Sequence, residues 1–141
     1  MTEAIDFHDL TIETFFVDAS TRLVRLSAID AHDREAPRLV AEFTDVSVYC
    51  LSGDLLGTIV FELEEREPLQ LYQLFAEPLQ VAFRAHGGHA SWVATEPEAR
   101  TFLAASPCRA FELSSSIGGT AAIWCRGFRK WAEPKSGLTS A

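Results

Sequence analysis

The feature that most restricts this fold is a rhythm of β-forming runs in the first 65 residues. Residues 10–18 are rich in β-branched and aromatic side chains, and strict alternation would put Ile12, Thr14 and Phe16 on one face. Residues 22–29 alternate again, and between the two runs Asp18-Ala19-Ser20-Thr21 has the side chains that bond a local turn, so a hairpin is expected. Residues 30–37 are polar and charged, a surface loop. Further strands are expected at 38–44, 46–51 and 58–63, with a turn at Ser52-Gly53-Asp54. Runs repeating every ~8–12 residues are the spacing of a meander or sandwich.

The period then changes. Between Glu67 and Ala76, Leu71, Leu74 and Phe75 fall at helical spacing, and Pro68 suits a first helical position. Glu77-Pro78 could restart a helix with Leu79, Ala82, Phe83 and His86 on its apolar face, closed by Gly87-Gly88. Leu79, Val81 and Phe83 also alternate as a strand would, so helix and strand both stay open for 79–84. Residues 90–94 read as strand, and Thr95-x-x-Glu98 reads as a capping box opening a short helix to Ala105. Residues 108–115 and 120–131 form a strand pair across Ser116-Ile117-Gly118-Gly119. The expected architecture is α+β: a mainly antiparallel sheet of seven or eight strands, with two or three short helices inserted in the second half. At 141 residues the chain fits one globular domain, 1–133, and a flexible tail, 134–141. Hydrophobic residues at 48% are enough for a proper core.

Charge narrows the partners. The net charge of −8 is unevenly placed: residues 1–67 carry 15 acids and 5 bases, whereas 68–141 carry 5 acids and 7 bases. An acidic surface repels phosphate backbones, so no nucleic-acid partner is expected. The counter-example is Arg126, Arg129 and Lys130 interleaved with Trp124, Phe128 and Trp131, a pattern that can track a single strand but is more simply a basic edge strand. No membrane partner is expected either. The longest stretch without a charge, 113–125, falls short of the roughly 18 apolar residues of a span. The opening MTEAIDFHDL has acids before any base and no apolar segment, unlike a signal peptide. Cys50, Cys108 and Cys125 form no CxxC or zinc-finger spacing and sit in apolar contexts, which suits reduced, buried thiols and a cytoplasmic location.

No coherent catalytic set emerges. His8-Asp9 and His32-Asp33 are potential metal-binding pairs, but one precedes a strand and the other lies in a charged loop. His86-Gly-Gly-His89 supplies half of a closed zinc site, but a glycine-capped helix end explains the residues without a metal. Ser114-Ser115-Ser116 is not a nucleophile elbow, and no phosphate-binding glycine motif occurs. No cofactor is expected. Glu62, Glu64, Glu65 and Glu67 form the strongest acidic run, and on a strand Glu62 and Glu64 share a face.

Phe7-His8-Asp9-Leu10-Thr11-Ile12, together with 111–119 (FELSSSIGG) before an apolar strand, resembles a family of small bacterial proteins of uncharacterised function. That family opens on an F-H-D motif and bends at serine and glycine before its last strand, and some relatives are grouped with immunity proteins of polymorphic-toxin systems. Leu10 stands where the family has a small residue, and the resemblance brings no active-site residues. It implies a structural role for His8-Asp9, with the Asp9 carboxylate bonding backbone at the start of the strand and His8 bonding a neighbouring loop. The expectation is therefore a non-enzymatic binding protein, immunity-like, docking a basic partner protein through Glu62, Glu64, Glu65, Asp30, Asp33 and Glu35. Two alternatives stand behind it. One is a self-assembling subunit, such as a homodimer built on Trp92, Trp124, Trp131 and some of the ten phenylalanines. The other is a metal-dependent enzyme using His8, Asp9, His86 and His89.

Overall fold

A computed structural model of the chain describes residues 7–33, 35–53, 59–86, 90–117 and 119–134. The strands are β1 (Thr11–Asp18), β2 (Leu23–Ile29), β3 (Arg38–Thr44), β4 (Val48–Ser52), β5 (Ile59–Arg66), β6 (Arg109–Ile117), β7 (Thr120–Cys125) and β8 (Gly127–Glu133). Helix α1 (Pro68–His86), a 3-10 turn (Ser91–Val93) and helix α2 (Glu96–Ala105) lie between β5 and β6. Among the described residues the strands form one sheet in the order β4-β7-β6-β5-β1-β2-β3-β8, and every pairing is antiparallel. The α+β architecture read from the sequence is thus the one observed.

Two short connections force the sheet to curl. β3 and β4 lie six places apart in the order, as do β7 and β8, which in a flat sheet would mean a gap of roughly 29 Å. Only Asp45–Ser47 joins the first pair and only Arg126 the second, and a few residues span about 3.5 Å each. The two ends of the sheet must therefore meet. They do: the Phe111 ring of β6 lies 4.3 Å from the Phe128 ring of β8, and Phe43 of β3 packs on both. The corners are held by hydrogen bonds from Arg126 N to Thr44 O and from Ser47 N to Trp124 O. Gly127 suits its corner, because a Cβ there would collide with Thr44 Oγ1 unless that side chain turned away.

The pleat sorts side chains into two cores. Val24, Leu26, Ala28, Ala41, Phe43, Phe111, Leu113, Ala121, Ile123 and Cys125 fill the interior of the curl. Their neighbours in sequence, Ala110, Ala122 and Trp124, face outward and are covered by Leu71, Tyr72 and Leu79 of α1, by Trp92 and Val93, and by Ala99 of α2. In β7 the two sets alternate residue by residue, as a period of two demands.

Several expectations need correction. A register shift between Ile12 and Thr14 interrupts the face proposed for Ile12, Thr14 and Phe16. Ile12 is buried in the interior, whereas Thr14 and Phe16 pair with the outward Ser27 and Arg25. The extra residue, Glu13, turns its carboxylate to Arg38. Residues 79–84 are helix, and α1 is one long helix running through Pro78 rather than two short ones. Pro78 removes one backbone hydrogen bond, but Leu71, Phe75, Leu79 and Phe83 form one apolar stripe along both halves, and that packing outweighs the break. Residues 91–93 are a 3-10 turn, not a strand, because Trp92 and Val93 are both buried against the helices and Tyr72 donates to Val93 O. The expected strand 120–131 is split at Arg126, where the chain crosses between the ends of the sheet. The Thr95 capping box stands: Thr95 Oγ1 accepts from Glu98 N and lies 2.9 Å from Glu98 Oε1.

Candidate functional site

The acidic residues singled out in the sequence fall into three places. Glu62 and Glu64 share the outward face of β5, as the pleat requires, and Glu112 of β6 stands directly opposite Glu64. Arg66 reaches Glu64 at 3.2 Å and Glu112 at 3.0 Å. Opposed like charges destabilise a strand pair, so Arg66 is what makes this arrangement tolerable. Glu65 does not join them: it points to the other face, where Arg109 grips both its oxygens and holds its carboxyl below the ordinary range. Asp30, Asp33 and Glu35 lie in the β2–β3 loop, and that loop uses the two aspartates. Asp30 Oδ1 accepts from His32 N and Asp33 Oδ1 from Glu35 N. β2 ends beside the start of β1, whose neighbour is the Ile59 end of β5, so the loop acids and Glu64 stand at opposite ends of a strand.

Among the described residues, the backbone positions of His8 and His86 fall at opposite ends of β1. His8 Nδ1 lies 3.0 Å from Asp9 Oδ2, with both side chains exposed, just before β1. The tie to the sheet is made by the Asp9 backbone, whose N donates to Val60 O at a positive φ of 66°, rather than by the expected Asp9 carboxylate. His86 ends α1, whose last turns pack near the β1–β2 turn at the far end of β1. His89 lies outside the described residues. Among the described residues no three His, Cys, Asp or Glu side chains are grouped as metal ligands. The thiols are free; Cys125 is buried in the interior and pushed up to about 12 by that burial, whereas Cys50 and Cys108 are half-buried. Of the tryptophans, Trp92 and Trp124 belong to the core under the helices, donating to Ser47 Oγ and Pro68 O.

Two features were not legible in the sequence. The first is an ion cluster on the outward face of β2, β3 and β8. The register puts Phe16, Arg25, Glu42 and Arg129 in one line across four strands. Glu42 is only 3% exposed, though it sits on an uncovered face, because the two arginines lie over it. Chiefly Arg25, and then Arg129, hold its carboxyl below the ordinary carboxylate value. Arg129 also stacks over Trp131 at 4.8 Å. Arg129 of this edge strand is thereby engaged within the protein.

The second is an apolar cleft of about 330 Å3 between α1, the β1–β2 turn and β4. Val17, Leu23, Val24, Val46 and Val48 form one wall, and Leu79, Ala82, Phe83, Ala90 and Val93 the other. Asp18, Arg22, Ser47 and Tyr49 supply its polar groups. The apolar stripe of Leu79, Ala82 and Phe83 was visible in the sequence, but not the hairpin turn that faces it. Asp18 Oδ1 accepts from Ser20 N, Ser20 Oγ and Thr21 N, which lowers its pKa, through Ser20 first, and commits it to the turn. Arg22 Nε and Nη2 donate to Val46 O and Ser47 O. Compared with protein-family models, curated proteins and solved structures, the chain matches none.

Proposed function

We propose that the chain is a non-enzymatic binding protein that docks a basic partner protein on the acidic outward face of β5 and β6. The observation that carries this reading is the register of that pair. It gathers Glu62, Glu64 and Glu112 on one face against Arg66, while Glu62 stays exposed and Glu64 half-exposed. Strand pairing alone gains nothing from opposed carboxylates, whereas a cationic partner gains from the exposed Glu62 and half-exposed Glu64. The charge of −10 over residues 1–67 supports the same reading, since it would steer a basic protein toward this half. The resemblance to immunity-type proteins makes a toxin the class of partner.

The test has two steps. Native mass spectrometry on protein purified from its own host's lysate identifies a co-purifying protein, and the association rate of that protein is then followed against ionic strength. A basic partner whose association slows steeply with salt, and slows again for Glu62→Lys, supports the reading. An association rate indifferent to both sinks it.

A further inference from the structure

We infer that the cleft between α1, the β1–β2 turn and β4 binds a small apolar molecule ending in a single carboxylate, with Arg22 as the group that takes the carboxylate. The cavity, about 330 Å3, stands at the small end of the ~300–1,000 Å3 that ligand pockets occupy, so it fits a short alkyl or single-ring body rather than a large cofactor. Its walls are aliphatic and aromatic, from Val17 and Val24 on one side to Leu79 and Phe83 on the other.

Arg22 is fixed in advance. It follows the hairpin turn at a positive φ of 56°, which a long side chain rarely adopts, and its carbonyl accepts from Val46 N at 2.9 Å. Its Nε and Nη2 donate to Val46 O and Ser47 O, at 2.8 and 2.9 Å. Those bonds use one edge of the guanidinium. Nη1 has no partner among the described residues, and the end of the fork formed with Nη2 can still meet a carboxylate. Asp18, a carboxylate of the cleft lining, is held by Ser20 and Thr21 and makes no hydrogen bond to Arg22, so the fork is not occupied by it. One guanidinium matches a monoanion; a phosphate dianion would call for more than one.

The test is an amide NMR titration of the full chain with octanoate, octanol and octylamine, which share a tail and differ in head group. Octanoate should bind saturably, shifting the amides of Val46–Val48 and Leu79–Phe83, at least about tenfold more tightly than octanol, with octylamine weakest. Arg22→Gln should erase the preference for octanoate over octanol. Ala82→Phe, at an exposed helix position lining the cleft, should abolish binding of the whole series, and it carries the test if Arg22→Gln does not fold. Equal affinity for octanoate and octanol, undiminished octanoate binding by Ala82→Phe, or no saturable shift with any probe overturns the proposal.

Discussion

The two outward faces of this one sheet are finished by opposite chemistry. Where helices lie over β6 and β7, the outward residues Ala110, Ala122 and Trp124 are fully buried. Over β2, β3 and β8 the outward line is Arg25, Glu42 and Arg129, with arginine side chains as the cover. Both solutions remove the central side chain from water, yet they differ in origin. The first rests on apolar area and close packing, which solvent does not screen. The second rests on charge-assisted hydrogen bonds from side chains that are themselves exposed, so desolvation and screening offset much of the gain. The contrast predicts that the covered face dominates stability although the charged one has the more conspicuous contacts.

The largest effect should come from Trp124→Ala. It removes a fully buried indole and its bond to Pro68 O, and should cost about 3–5 kcal/mol in urea unfolding. A loss no larger than that of a charged-face variant would break the comparison. Next is Gly127→Ala, at the corner where the chain leaves one face for the other. Overpacking against Thr44 should cost about 1–3 kcal/mol, and Thr44→Ala in the same chain should recover part of it. Thermal melts of the single and double variants read this directly.

Glu42→Gln should cost less, about 1 kcal/mol at neutral pH, because Arg25 and Arg129 can rehydrate. The pH dependence sharpens the point. The folded-state pKa of Glu42 is depressed, so its contribution is complete above the ordinary carboxylate value of 4.5 and is lost as pH falls through the folded value. Melting curves taken from pH 6 to pH 3 (about the range where carboxylates titrate) should therefore converge for Glu42→Gln and the parent chain. A constant gap would mean that shape, not charge, is what Glu42 contributes. Of similar or smaller size is Thr95→Ala, which uncaps α2 and should cost about 1 kcal/mol or less, measurable by chemical denaturation.

How far the sequence could be read differed between elements for definite reasons. The hairpin 10–29 was legible because Asp18, Ser20 and Thr21 write their own turn, and α2 because Thr95 and Glu98 write their own cap. The bulge at Glu13 was not, because the partner of its carboxylate, Arg38, lies on another strand. Helix 68–86 was split at Pro78 on local grounds, whereas the stripe of Leu71, Phe75, Leu79 and Phe83 against Trp92 and Trp124 decided it from a distance. For the candidate sites, the shared face of Glu62 and Glu64 follows from the pleat alone. Their opposition to Glu112, the diversion of Glu65 to Arg109, and the cleft around Arg22 all depend on partners far along the chain.

The sequence by itself determined the class of the molecule: most of the runs that are strands, the hairpin turn and the cap of α2, and the acidic bias of one half. These follow from periodicity, turn chemistry and charge, which act over a few residues. Tertiary structure alone decided that the sheet curls, because connections too short to cross a flat sheet bring its ends together. It likewise decided which carboxylates remain available and where a cleft opens, since both are set by strand register and helix packing between residues that the chain holds far apart.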